Sequence, residues 1–349
     1  MHVVTVIGNR PQFVKAAAVS RALRAEHDEL LVHTGQHHDD ELSTVFVEEL
    51  GVPRPERELG IHGGTNTEQT ARMLEALAPL LAERRPDRVL VYGDTNSTLA
   101  GALAAAQARI PVAHVEAGMR SFDRAMPEEL NRVLTDHASD LLLCPSQTAV
   151  DNLRREGVAG EVALVGDVMV DVAHLFQPRA RDEVPAFEPP YVLATAHRAG
   201  NVDDPQRLAT LVDLLLAVEE DVVLPLHPRT RARLQSAGLL GRLAAGVELL
   251  APQGYLDFTA LLVHARAVLT DSGGVQKEAY IAGVPCVTLR DTTEWVETVD
   301  TGWNVLVDLD AAAALEALER AVPATRPELY GDGNAGQRVV AAMASLAGR

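Results

Sequence analysis

The chain has 349 residues, 47% of them hydrophobic and 23% charged, which is enough for two α/β domains that each bury a core. A formal net charge of −18 leaves no basic footprint and argues against a nucleic-acid partner. No apolar run approaches the roughly 18 residues of a membrane span, the start MHVVTVIGNR lacks signal-peptide features, and Cys144 and Cys286 form neither a disulfide framework nor a metal spacing, so a cytoplasmic protein with no membrane association is expected.

In chain order, 2–7 is predicted as a strand, 8–11 as a turn and 13–24 as a helix by its apolar spacing. A strand at 30–33 ends in Thr-Gly-Gln-His-His-Asp-Asp. Helix 67–83, strand 88–92, turn 93–95, helix 97–108 and strand 112–115 follow, and 140–144 and 162–165 read as further strands. Residues 177–190, QPRARDEVPAFEPP, carry four prolines and several charges and read as a linker. This gives a first domain at 1–176 and a second at 191–349, the last helix packing back on the first domain. In the second half, 191–194, 221–226, 247–250, 267–269 and 286–289 read as strands with helices between, 311–321 as a helix, and the tail from 337 as another. Such alternation predicts α/β architecture: two doubly wound, Rossmann-like parallel sheets facing a cleft, with ligands beyond the carboxyl ends of the strands.

At those ends the first domain carries Arg10 with Lys15, then His37, Asp94 and Glu116. If the strands before Asp94 and Glu116 pair, their ends lie about 5 Å apart and both carboxylates open to one side. Glu128-Glu129 after Pro127 sits at a predicted helix start. Taken singly, Asp94 or Asp123 could cap a helix and Glu128 could favour a helix dipole. Three acids converging on one strand edge favour chemistry over three separate structural roles.

The second domain offers His197-Arg198, His227-Pro228-Arg229, Gln253, 271–274 and 290–294 at its strand ends. Within 265–285 a strand, the turn Asp271-Ser272-Gly273-Gly274 and a short helix over 275–281 leave free amides and a helix dipole suited to phosphate. Glu278, one turn into that helix, can accept ribose hydroxyls. Of 31 basic residues only Lys15 and Lys277 are lysine, and both fall in loop-to-helix motifs. The run His37-His38-Asp39-Asp40-Glu41 has successive side chains that diverge, against a metal site. No G-x-G-x-x-G follows a strand and no G-x-x-x-x-G-K-[ST] occurs, against a nicotinamide site and a P-loop, so no cofactor is expected. His114, His174 and His264 lie in apolar runs and read as structural.

GNRPQFVKAA, HTGQH, VYGDTNSTLA, HVEAGMRS, MPEELNR, HRAGN, LPLHPRT, DSGGVQKEA and RDTTEWVETV occur in that order. Together they resemble the non-hydrolysing UDP-N-acetylglucosamine 2-epimerases, over about residues 3–308. The resemblance implies a glycosyltransferase-B-like fold, a homodimer, and a UDP-sugar substrate that loses UDP to give a glycal and regains it with C2 inverted, UDP-GlcNAc becoming UDP-ManNAc. It implies Asp94, Glu116 and Glu128 as the acids, with Arg10 and Lys15 beside the diphosphate and reacting sugar and His197 on the phosphates. Ser272, Gly273 and Gly274 match the diphosphate turn, Glu278 the ribose ligand, and Gln253 and Phe258 the uracil border. Gln12 and Lys277 stand where many members have glutamate, and Trp295 replaces an arginine that reaches the nucleotide. PQF, QKE and TEWVE resemble a branch acting on UDP-2,3-diacetamido-2,3-dideoxyglucuronic acid, an alternative substrate. A glycosyltransferase of the same fold is the alternative from another class.

Overall fold

The computed structural model describes residues 1–36, 51–182, 187–188 and 190–346. The chain forms two compact units, Met1–His174 with Glu328–Arg349, and Leu175–Pro327. His37 and the acidic run after it lie outside the described residues, as does most of 183–190.

In the first unit the strands are β1 (His2–Ile7), β2 (Asp28–His33), β3 (Arg57–Glu58), β4 (Arg88–Tyr92), β5 (Val112–Val115), β6 (Leu141–Cys144) and β7 (Glu161–Leu164). They form one sheet in the order β3-β2-β1-β4-β5-β6-β7, and every pairing is parallel. The helices are α1 (Arg10–Glu26), α2 (Asn66–Arg84), α3 (Asn96–Gln107), α4 (Pro127–Ala138), α5 (Gln147–Glu156) and α6 (Val168–Asp182). β1, β4, β5 and β6 are buried along nearly their whole length, because helices cover both faces of a parallel sheet. Apart from His2, Thr5, Arg88 and His114, their sequences are accordingly apolar without alternation.

Local chemistry sets the helix starts. The Asn9 side chain accepts the Gln12 N–H at the head of α1, and Thr65 and Thr95 form capping boxes with Glu68 and Thr98 at the heads of α2 and α3. Thr95, rather than Asp94, caps α3, which leaves the Asp94 carboxylate for other partners. At Gly8 an added Cβ would stand 1.9 Å from Ser97 Oγ, so only glycine lets β1 turn this close to α3.

Helix α6 continues to Asp182, so 177–182, expected as linker, are helical. Proline removes one helical hydrogen bond at Pro178. Val172, Ala173, Phe176 and Ala180 are all buried, and their spacing presents one apolar stripe that carries the helix through it. The final helix, α15 (Ala335–Leu346), belongs to the first unit. Asp171 accepts the N–H groups of Ala335 (3.0 Å) and Gly336 (2.8 Å) at its start, and Gly336 comes so near α1 that an added Cβ would lie 3.0 Å from Ala18 O.

The second unit has β8 (Val192–Thr195), β9 (Val222–Pro225), β10 (Glu248–Leu250), β11 (Ala267–Thr270), β12 (Cys286–Thr288) and β13 (Asn304–Leu306), parallel throughout in the order β10-β9-β8-β11-β12-β13. Its helices are α7 (Ala199–Val202), α8 (Pro205–Ala217), α9 (Pro228–Ser236), α10 (Leu240–Leu243), α11 (Tyr255–His264), α12 (Gly273–Ala282), α13 (Val296–Asp300) and α14 (Ala311–Glu319). Leucines and valines of β8, β9 and β11 with α8 and α14 make one core layer, and α11 and α12 cover the other face. The edge strands β3 and β13, two and three residues long, were not expected, since so short a run carries no periodic signal.

Both sheets reverse their strand order at one point. In the first unit the chain starts at β1, goes out one way to β2 and β3, and returns to β4 on the other side. In the second it does the same at β8 and β11. Such switch points splay the loops apart and open a crevice at the carboxyl ends of the strands.

Candidate active site

At the switch point of the first unit, the turn after β1 leads into α1 and the turn after β4 leads into α3. Gln12 ties them together. Its side-chain oxygen accepts the Gly8 N–H at 2.7 Å, and its nitrogen donates to Tyr92 O at 2.6 Å and contacts Thr98 Oγ1 at 2.8 Å and Thr95 Oγ1 at 3.0 Å. Gln12 is buried, so the departure from glutamate is a packing feature of this hinge between two loops. Arg10 opens α1, half-buried, and Lys15 lies further along the same helix.

Lys15 Nζ forms an ion pair with Glu116 Oε2, with side chains only 13% and 12% exposed. β4 pairs with β5, Tyr92 opposite Val115, so Asp94 and Glu116 do follow adjacent strand ends. A Cβ on Gly93 would stand 3.4 Å from Lys15 Nζ and 3.5 Å from Glu116 Oε2. The ammonium, the Glu116 carboxylate and the backbone beside Asp94 therefore share one small volume. Asp94 pairs with Arg132 of α4, and Asn131 Nδ2 donates to Asp94 O at 3.1 Å. Glu128 is exposed in the first turn of α4, one turn before Arg132. Its neighbour Glu129 is buried and occupied, accepting Ser121 N (2.9 Å), Ser121 Oγ (3.0 Å) and Phe122 N (2.9 Å). Of the acidic pair, only Glu128 faces out.

Glu116 has φ +70°, a left-handed conformation that costs a non-glycine residue about 1–2 kcal/mol. Its N–H and that of Ala117 both donate to Leu143 O, at 3.1 and 3.3 Å, and Gly118 N donates to the buried Asp136 at 3.1 Å. Burial pushes the Asp136 carboxyl up, but His114 and Arg120 beside it overcome this and hold it below its ordinary value. Arg132, Asp136 and Arg120 were not singled out from sequence. The Glu129/Arg132 spacing within MPEELNR was the available signal.

In the second unit the switch point carries His197 after β8 and the turn 271–274 after β11. Asp271 is fully buried and joins them: its carboxylate accepts His197 N at 3.1 Å, Arg198 N at 3.0 Å and Asn201 Nδ2 at 3.2 Å. The His197 ring is half-exposed, 5.5 Å from the His227 ring. Ser272 caps α12, its Oγ accepting Val275 N at 3.5 Å, and Gly273 and Gly274 form the first helical positions. Amides there have no intrahelical acceptor, and the dipole adds partial positive charge, so the turn suits a phosphate. Gly274 is exposed and Glu278, half-buried, follows one turn later on the same face.

Gly273 is required by packing: an added Cβ would meet Glu294 Oε1 at 2.2 Å. Glu294 is held by Arg290 at 3.0 Å and Arg198 at 3.6 Å. Trp295 is buried beside it, with Lys277 Nζ 4.3 Å from its ring centroid, so the second lysine is buried in a cation–π contact. Gln253 is half-buried, donating to Ala251 O at 2.7 Å, and Phe258 packs against the core of α11 and α12. Among the described residues no group of three His, Cys, Asp or Glu side chains is placed to hold a metal. His264 bonds Ala260 O within its own helix, at 2.8 Å.

Two parallel-sheet α/β units, one with carboxylates and a lysine at its switch point and the other with an amide-lined turn at its own, define an enzyme of the nucleotide-binding α/β class. The chain belongs to the UDP-N-acetylglucosamine 2-epimerase family: the family profile of that description matches residues 21–344. A UDP-2,3-diacetamido-2,3-dideoxy-D-glucuronate 2-epimerase of Pseudomonas aeruginosa is 48% identical over 99% of this chain and 100% of that protein. The UDP-N-acetylglucosamine 2-epimerase of Escherichia coli K12 is 35% identical over 98% of both chains. The crystal structure of the Methanocaldococcus jannaschii UDP-GlcNAc 2-epimerase in complex with UDP-GlcNAc and UDP superposes with a TM-score of 0.92 at 39% identity, covering 99% of this chain and 100% of that one. Among the described residues no helix is long and apolar enough to cross a membrane.

Proposed function

We propose that this protein inverts C2 of the N-acetylated sugar in a UDP-sugar, interconverting UDP-GlcNAc and UDP-ManNAc by elimination and re-addition of UDP. The C2 hydrogen has no adjacent carbonyl, so direct removal by a base would leave an unstabilised carbanion. In elimination the C1–O bond breaks with its electron pair departing on the β-phosphate. A carboxylate takes the C2 proton, and the C1=C2 double bond of a glycal forms. UDP then adds back to C1 while a proton reaches the opposite face of C2. Two faces call for two proton carriers, and Asp94, Glu116 and Glu128 are the candidates.

The observation that carries this reading is the grouping of Lys15, Glu116 and the Asp94 turn at one strand edge. Arg10, Lys15, His197 and the Ser272-Gly273-Gly274 turn would stabilise charge on the leaving diphosphate. Glu278 would take the ribose, and Gln253 and Phe258 would border the uracil. The working form would be a homodimer that requires neither metal nor nicotinamide.

The test is turnover in heavy water with ¹⁸O in the C1–O–P bridge. Deuterium must enter C2 of the product, and the bridge label must scramble into the other phosphate oxygens. Epimerisation with the bridge label fully retained would exclude C–O cleavage. A second substrate is favoured by the 48% identity to the Pseudomonas aeruginosa protein: UDP-2,3-diacetamido-2,3-dideoxy-D-glucuronate. Parallel incubation with each UDP-sugar, read by the anomeric proton signals, separates the two.

A further inference from the structure

Beneath the acids of the first unit lies a fully buried polar bridge that the proposed chemistry does not use directly. His114 sits on β5 with no solvent exposure, between Ala113 and Val115. Its Nε2 lies 2.7 Å from Gly93 O, the carbonyl immediately before Asp94. Its Nδ1 lies 2.7 Å from Asp136 Oδ1. Asp136 Oδ2 accepts Gly118 N at 3.1 Å, two residues beyond Glu116. Arg120 Nη1 closes on the same oxygen at 2.7 Å, and the Nε–Nη2 edge of its guanidinium donates to both carboxylate oxygens of Glu156 at 2.7 Å.

The path Gly93 O, His114, Asp136, Gly118 N thus ties the loop of one acid to the loop of the other. The Glu116 loop needs restraint. Glu116 is held at φ +70°, and Gly118 at φ +79° approaches so near Ala149 O that an added Cβ would stand 2.4 Å away. A buried ion pair is expensive to desolvate and is a poor source of net stability, which makes a geometric role the one to test. Proton transfer to two faces of one carbon supplies such a role, since a shift of about 1 Å in a reacting group can cost on the order of 100-fold in rate.

We infer that His114 and Asp136 are positioning residues that fix the spacing of Asp94 and Glu116 through the backbone of their two loops. They touch neither substrate nor the reacting atoms. The inference rests on the proposed epimerase reaction.

Two substitutions dissect the bridge. In His114→Gln the side-chain amide nitrogen takes the place of Nε2 and keeps the bond to Gly93 O. In His114→Asn it takes the place of Nδ1, keeping Asp136 and losing Gly93. With the full-length protein and UDP-sugar, His114→Asn should lower kcat by about 10–100-fold, with KM and the Kd for UDP within about twofold. His114→Gln keeps Gly93 O but loses Asp136, so it cuts the same path and should lower kcat by a similar factor. The C2 deuterium isotope effect should rise in His114→Asn, because a misaligned proton transfer becomes rate-limiting. A purely structural role would lower the melting midpoint equally in both variants and leave the isotope effect unmoved. Wild-type kcat in either variant, or a loss confined to KM, overturns the inference. Should neither variant fold, Asp136→Asn decides by the same split: a fall in kcat of tenfold or more at unchanged UDP affinity supports it, and a smaller fall overturns it. Wild-type protein inactive on both UDP-sugars would refute the proposed reaction itself, a result distinct from active wild type with insensitive variants.

Discussion

Replacing Asp271 by asparagine should loosen the two loops it joins at the switch point of the second unit while leaving the side chains proposed to touch the ligand unchanged. The buried carboxylate collects the N–H groups of His197 and Arg198 and the Asn201 amide at 3.0–3.2 Å. A hydrogen bond to a charged acceptor contributes about 1.5–3 kcal/mol and a neutral one about 0.5–1.5, so three bonds weaken by about 1 kcal/mol each. The NH₂ group also replaces an acceptor that faces His197 N. Neutralising a buried charge relieves some desolvation and offsets part of the loss, which leaves about 2 kcal/mol. For a unit of this size that corresponds to a fall of about 4–8 °C in melting midpoint. The turn bearing His197 loosens, and UDP should bind about tenfold more weakly for each 1.4 kcal/mol by which its binding free energy falls. Differential scanning calorimetry and titration calorimetry with UDP measure both. A midpoint within about 1 °C of wild type together with unchanged UDP affinity would refute the reasoning, because the three donors would then not depend on this carboxylate.

Glu278→Ala should raise the Kd for UDP by roughly tenfold or more, as charge-assisted bonds to ribose disappear; unchanged affinity by calorimetry would count against that role. Asp94→Asn or Glu116→Gln should cost about 10²–10⁴ in rate while UDP binding stays near wild type, and a variant that turns over normally would remove that residue from the proton-transfer set. Gln12→Glu should destabilise the protein by about 1–3 kcal/mol at neutral pH, since a carboxylate has no proton to offer Tyr92 O. The penalty should shrink in acid, where the protonated carboxyl can donate; denaturation curves that match wild type at neutral pH would disprove this. The Asp136 carboxyl is held below its ordinary value, so its contribution to stability is complete above the unfolded value and is lost as pH falls through the folded one. Asp136→Asn should therefore show a flatter decline of stability in acid, and curves parallel to wild type would contradict the assignment.

The sequence by itself determined the architecture and most of the candidate residues. Fully buried parallel strands appear as unbroken runs such as VVTVI and RVLVY, and their spacing through helices admits only parallel sheets. Lys15, Asp94, Glu116, His197 and the Ser272-Gly273-Gly274 turn stood out because each follows a strand end. What the sequence could not determine is which strand ends adjoin, because strand order is a long-range property. Only the tertiary structure put β1 beside β4 and β8 beside β11, and so placed the candidate residues of each unit at that unit's own switch point. The partners of the acids were hidden for the same reason. Lys15 and Glu116 are separated by 101 residues, Asp94 and Arg132 by 38, and His197 and Asp271 by 74. His114 read as an ordinary core histidine, since its apolar neighbours on β5 give no hint of the carbonyl and carboxylate at its two nitrogens. Local pattern reports burial and turn chemistry; the pairing of buried polar groups is set by whichever distant segment packs against them, and that is decided only when the sheets assemble.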